Sequence, residues 1–125
     1  MSRTDNQKAK RQKAERRGHR AEIFAAWWLR FKGFSIKESR FKTPVGEVDI
    51  IARRGNLVVF VEVKARADHR TALDSVGYRS RQRIEKAARL WLSQQSDFSR
   101  LSWRFDVIAI SPRKLPHHFQ NVWSG

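Results

Sequence analysis

Asp49 in the run 46–52 (GEVDIIA) and Glu62 and Lys64 in the run 59–64 (VFVEVK) are the reactive groups the chain sets closest together. Two strands joined across a two-residue loop at Gly55-Asn56 would put Arg53 opposite Val58, Ile51 opposite Phe60, Asp49 opposite Glu62 and Glu47 opposite Lys64. Glycine at the first loop position suits a type II′ hairpin turn. Carboxylates directly opposite each other have Cβ atoms roughly 5 Å apart, and like charges there destabilise the pair. A divalent cation removes that cost. Mg²⁺ takes oxygen ligands, keeps several waters, and is satisfied by one or two carboxylates plus a substrate phosphate. Lys64 points to the same side as Glu62, because side chains alternate with period two. There an ammonium can orient an attacking water or stabilise charge building on phosphorus oxygens. The competing reading is a solvated sheet face, with Glu47 and Lys64 as a cross-strand ion pair.

The same register sorts the apolar residues. Val48 faces Val63, Ile50 faces Val61 and Ala52 faces Val59, so one face is wholly apolar and belongs against the core. A one-residue slip would mix the two sets. Glu22 is the next acidic candidate. Gly18, Ala25, Ala26 and Leu29 surround it at helical spacing, so it lies on a face that should approach the sheet. It would either face the same cation cluster or sit at a helix start, favoured by the positive end of the dipole.

The elements that hold these residues follow from period and punctuation. A helix spans about 18–32 and stops at Gly33. Residues 34–41 read as a strand, Thr43-Pro44-Val45-Gly46 as a turn, and 47–53 and 57–64 as the hairpin. Residues 65–78 carry turn residues and no period. Residues 79–95 form a helix with Ile84, Ala87, Ala88, Trp91 and Leu92 on one stripe. Residues 103–110 make a fourth strand, and Phe119, Val122 and Trp123 suggest a short edge strand. The order α-β-β-β-α-β predicts a mixed α/β fold, with helices flanking a mixed sheet.

With 125 residues the chain supports one domain, 18–125, preceded by a basic arm at 1–17 that reads as flexible. The formal charge of +15 is self-repelling unless a polyanion absorbs it, and nucleic acid is the commonest such partner. Arg66, Arg70, Arg79, Arg81 and Arg83 form a plausible phosphate track beside Lys64. No clean amphipathic basic helix, lipid-anchor signal, secretory signal or membrane-length apolar run is apparent, so no membrane partner is expected and the cytoplasm is the default location. The absence of cysteine excludes disulfides, thiolate metal sites and a thiol nucleophile. His19, His69, His117 and His118 lack metal-ligand spacing and read as surface or packing residues. The Trp27-Trp28 pair could stack on unpaired bases, but aromatics inside an apolar helix are expected in the core.

The motifs G-E-V-D-I-I-A (46–52) and V-F-V-E-V-K (59–64), with G-x-x-A-E (18–22), A-x-x-x-L (25–29) and R-F-D-V-I-A-I (104–110), also carry a likeness. The chain resembles the YraN-like family of uncharacterised bacterial proteins, which is similar to archaeal Holliday-junction resolvases in the PD-(D/E)XK nuclease superfamily. The resemblance implies a restriction-endonuclease-like core. It implies that Asp49, Glu62 and the Val63 carbonyl bind Mg²⁺ (or Mn²⁺), that Lys64 assists the water, and that Glu22 is the acidic residue resolvases carry on their first helix. Val48 departs from the superfamily's Pro, which removes no ligand. Ser80 stands where a basic residue is expected, with Arg79 and Arg81 beside it.

Three functional readings are therefore open. One is a Mg²⁺-dependent endonuclease acting on DNA, branched or otherwise structured forms included, with Glu22, Asp49, Glu62 and Lys64 as its site. DNA is favoured over RNA, and a homodimer would supply two cuts. Another is a binding module that keeps the scaffold without cutting. The third is a basic accessory protein for RNA.

Overall fold

Ala and straight-chain Lys, Arg, Gln and Glu, all good helix formers, dominate the N-terminal segment. In a computed structural model, described over residues 3–123, that segment opens one long helix, α1 (Arg3–Phe31). Asp5 lies in its first turn, where the helix dipole favours negative charge. Residues 3–17, read from the sequence as an arm, are thus the first half of a helix; residues 1 and 2 lie outside the described residues. Gly33 ends α1 with φ of +91°. Its N–H donates to the Arg30 carbonyl and that of Phe34 to the Leu29 carbonyl, both at 3.0 Å, the paired bonds of a Schellman stop.

Three antiparallel strands follow: β1 (Ser35–Thr43), β2 (Gly46–Arg54) and β3 (Leu57–Ala65). Gly55 has φ of +62° and Asn56 is not left-handed, as a type II′ turn requires. A short helix, α2 (His69–Asp74), lies within the segment read as loop. Asp68 caps it by accepting the Thr71 N–H at 2.8 Å. Then come α3 (Tyr78–Ser93), a single 3₁₀ turn, β4 (Ser102–Ile110) and β5 (His117–Trp123). The sheet order is β1-β2-β3-β4-β5, with β3 and β4 parallel and the other pairs antiparallel. It is a mixed α/β fold with a five-stranded mixed sheet flanked by helices, consistent with a restriction-endonuclease-like fold. Among the described residues no helix is long and apolar enough to cross a membrane.

The parallel β3–β4 pair needs a crossover, and α3 in that crossover covers a face of the sheet. Both faces are therefore buried. Ile50, Ala52, Val59 and Val61 pack with Ala25 and Leu29 of α1, whereas Ile51, Val58 and Phe60 pack with Ile84, Ala88 and Trp91 of α3. The sequence reading assigned only the first of these faces to the core, because it considered the two strands without β4.

The hairpin register holds from Arg54–Leu57 to Ile50–Val61 and ladder pairing stops there. On the other side of β2 the ladder skips Arg40 and Asp49 and resumes at Phe41–Val48, and Arg40 has φ of +53°. Across this irregularity the alternation reverses: Ile50 packs toward α1 but Val48 packs toward α3. Gly46 lies so close to α3 that a Cβ there would fall 1.8 Å from the Arg83 carbonyl oxygen. The expected partnership of Val48 with Val63 is not formed, because β2 turns at Asp49.

Candidate active site

The turn in β2 positions the acids. Instead of backbone pairing with Glu62, Asp49 uses Oδ2 to accept the Val63 N–H at 2.8 Å. This ties the Asp49 side chain to the end of β3 and brings the Glu62 carboxyl within hydrogen-bonding reach of it. Lys64 Nζ is 3.5 Å from Glu62 Oε1, and both side chains are mostly buried. Asp49, Glu62 and Lys64 therefore form one contiguous group.

Its electrostatics follow from that placement. Burial, then the Asp49 charge and the hydrogen bond to it, push the Glu62 carboxyl up to about 8, with Lys64 pulling the other way. Two neighbouring carboxyl groups share a proton when nothing else neutralises them. The donor set fits a hard cation: two carboxylates suffice for Mg²⁺ when water and phosphate complete the octahedron. Among the described residues no group of three or more His, Asp or Glu side chains is arranged to hold a metal ion. Val63, whose carbonyl is the third ligand implied by the resemblance, is tied to Asp49 through its N–H.

Glu22 stands across a cleft of about 520 Å³ that Asp49, Glu47, Gly18, Arg40 and Lys42 also line. Its Oε2 accepts from Arg40 Nε at 2.7 Å. Arg40 also feels the charges of Asp49 and Glu15, so a guanidinium occupies the space between the α1 acid and the sheet acids. Arg40 went unnoticed in the sequence. A left-handed non-glycine residue leaves no mark that composition or period can read.

The five arginines of the expected phosphate track divide. Arg66, Arg70, Arg79 and Arg83 are exposed. Arg66 lies at the end of β3, where its Nη1 donates to the Ala65 carbonyl. Arg81 is partly buried, with its guanidinium 5.2 Å from the Trp123 ring centre, a packing position. Trp27, expected in the core, is 64% exposed. His118, read as a surface or packing residue, has a buried side chain bonded to Asp106.

A restriction-endonuclease-like α/β sheet carrying a carboxylate–carboxylate–lysine group at one end is the class of protein that fold and site define. The model of the uncharacterised protein family UPF0102 matches residues 21–110, which include the whole group. A UPF0102 protein of Bartonella bacilliformis is 58% identical over 95% of this chain and 98% of its own. One of Agrobacterium fabrum is 53% identical over 92% and 94% respectively. The chain belongs to the UPF0102 family.

Proposed function

We propose that this chain is a Mg²⁺-dependent endonuclease that hydrolyses phosphodiester bonds in DNA. The observation that carries the reading is the Asp49–Glu62 contact, a costly like-charge pair that a divalent cation would relieve. Asp49 and Glu62 would hold Mg²⁺, which when bound supplies a Lewis acid for the phosphate and lowers the pKa of water. Lys64, beside Glu62, orients the attacking water and balances charge on the phosphoryl oxygens. Water adds to phosphorus, one P–O bond to sugar breaks, and the departing oxygen collects a proton. Glu22 serves from across the cleft once substrate or cation draws Arg40 away. Arg66, Arg70, Arg79 and Arg83 offer exposed cations for flanking phosphates, and the charge of +15 supplies salt-sensitive affinity.

A second reading has its own support. Glu22 is committed to Arg40, which suits a module that binds nucleic acid without cutting it. One experiment separates the two. Purified protein is incubated with linear, nicked and four-way DNA, with and without Mg²⁺, beside Asp49→Ala and Lys64→Ala. Metal-dependent cleavage lost in both variants with binding retained supports the enzyme. Equal binding without cleavage by the native protein supports the module.

A further inference from the structure

Along α1, Lys10, Lys13, Arg17 and Arg20 are succeeded at the same three- and four-residue spacing by Phe24, Trp27 and Phe31. At 3.6 residues per turn these side chains share an arc of about 100° over roughly 30 Å of helix. Phe24, Trp27 and Phe31 are 60%, 64% and 84% exposed, although large apolar side chains in a row are seldom left to water without a partner. Phe31 stacks on Trp28, and the Arg30 guanidinium lies 5.0 Å from the Trp27 ring centre. The cationic half of the stripe forms one wall of a groove of about 970 Å³, with Arg66, Arg113 and Lys114 opposite and Ala65, Ile110 and Pro112 between. Among the described residues no carboxylate lines it.

We propose that this face of α1 seats a single-stranded stretch of nucleic acid, its phosphates in the groove and its bases against the exposed aromatic rings. The inference rests on the nucleic-acid reading above and names the substrate class: DNA with an unpaired arm. Bases in a duplex are already stacked on each other, so protruding rings gain little from them, whereas unpaired bases stack on aromatics and tolerate any sequence. Other occupants fit less well. A second copy laid on this face would bring its own cations to a groove that has no acid to meet them. A membrane-surface helix sets cations and apolar residues on opposite faces, whereas here they succeed each other along one stripe. Glu15, Gly18 and Glu22, which line the cleft that holds Asp49, project from the other side of α1, about 160° round the helix from the stripe. A strand on the stripe is therefore separated from the acids by the body of α1, and reaches them only where it passes the end of the helix or continues into another segment of the substrate.

The test is binding of the full chain, in EDTA, to a labelled oligothymidylate and to a duplex of equal length, by fluorescence anisotropy. Both rings substituted are mostly solvent-exposed, so the fold stands without them. Trp27→Ala/Phe31→Ala should raise the single-strand Kd at least about tenfold and leave the duplex Kd in place. An unchanged single-strand Kd, or equal losses on both ligands, overturns the proposal. So does a native dimer that the double variant converts to monomer, or a preference for anionic phosphatidylserine vesicles over the oligonucleotide that the variant abolishes. Cleavage is scored separately with Mg²⁺. Single-strand binding that depends on the rings but comes with no cleavage defeats the endonuclease alone. Cleavage by the native protein with no dependence on the rings for binding defeats only this inference.

Discussion

The Asp49 carboxylate accepts the Val63 N–H at 2.8 Å, a bond from side chain to backbone at the point where the β2–β3 ladder ends. One carboxyl group thus has two tasks: it fixes the strand ends and presents a charge to Glu62. The tasks can be separated. Asp49→Asn keeps an acceptor for Val63 and removes the charge, so its unfolding free energy should stay within about 1 kcal/mol of the native value. Asp49→Ala leaves a partly buried N–H without its acceptor and should cost about 1–3 kcal/mol. Both should lose Mn²⁺ binding in calorimetric titration. An Asn variant that binds Mn²⁺ as the native chain does would remove Asp49 from the site.

Glu62 gives the fold a pH dependence whose sign is fixed by its raised pKa. Between the ordinary value of 4.5 and about 8, the folded chain holds a proton that the unfolded chain has released. The unfolded state then binds fewer protons, so this group lowers stability as pH rises through that window, by at most about 1.4 kcal/mol per pH unit. Urea unfolding of metal-free protein at pH 5 through 8 should show the decline relative to Glu62→Gln, which cannot ionise. Saturating Mg²⁺ should flatten the native curve, since a bound cation takes the proton's place. Parallel curves for the native chain and Glu62→Gln would mean that Glu62 titrates normally.

Removing the Arg40 guanidinium should strengthen cation binding at the acids it faces. Its ion pair with Glu22 is partly exposed and worth at most about 1 kcal/mol, while its left-handed backbone costs a similar amount that glycine would not incur. Arg40→Gly should therefore leave the melting temperature nearly unchanged and raise Mn²⁺ affinity several-fold. Weaker Mn²⁺ binding in that variant would mean that Arg40 organises the site rather than competing for it.

These tests bear on features that differ in how openly the sequence displays them. The Gly55-Asn56 turn and the apolar runs beside it announce the hairpin, because turn chemistry and strand period agree at every position down to Ile50 and Val61. The reversal at Asp49 is silent, since it depends on Arg40 adopting a conformation that nothing local favours. Asp49 and Glu62 were expected as partners through backbone register; they meet instead through side chains. The first half of α1 was read as an arm because its charge outweighed its helix propensity. In α2, six residues are too few for a period to emerge, though Asp68 ahead of Thr71 is a capping signal. Trp27 was assigned to the core because its neighbours are apolar, yet Ala25, Ala26 and Leu29 fill that face without it.

Gly46 is a test of how tightly α3 is held against β2. A methyl group there would lie 1.8 Å from the Arg83 carbonyl oxygen and 2.6 Å from its carbon, so rigid backbone rather than a side-chain tip would have to move. Gly46→Ala should cost at least about 1–3 kcal/mol in urea unfolding, the range for forced overpacking. It should also weaken DNA binding if Arg79 and Arg83 meet phosphates, because the helix that carries them is displaced. A native-like unfolding midpoint would show that α3 can shift at no cost.

Asp106 anchors the opposite end of α1. It is fully buried, accepts Arg104 Nε at 3.0 and 3.1 Å and the Asn121 N–H at 2.9 Å, and lies 2.6 Å from His118 Nε2. His118 Nδ1 is in turn 3.0 Å from Lys32 Nζ, at the end of α1. Burial lowers the Lys32 pKa and the Asp106 charge raises it. With the ammonium donating to Nδ1, the imidazole carries its proton on Nε2 and donates it to Asp106. Three elements thus converge on one carboxylate that water does not reach. Asp106→Ala would strand the buried partners and should cost about 3–5 kcal/mol, the range for breaking a buried pair. His118→Ala should cost less, since Arg104 and Asn121 still satisfy Asp106. Chemical denaturation gives the order, and ¹⁵N NMR of the imidazole reports the tautomer directly. A mild Asp106→Ala, or a proton found on Nδ1, would mean that α1 is held by its apolar face alone.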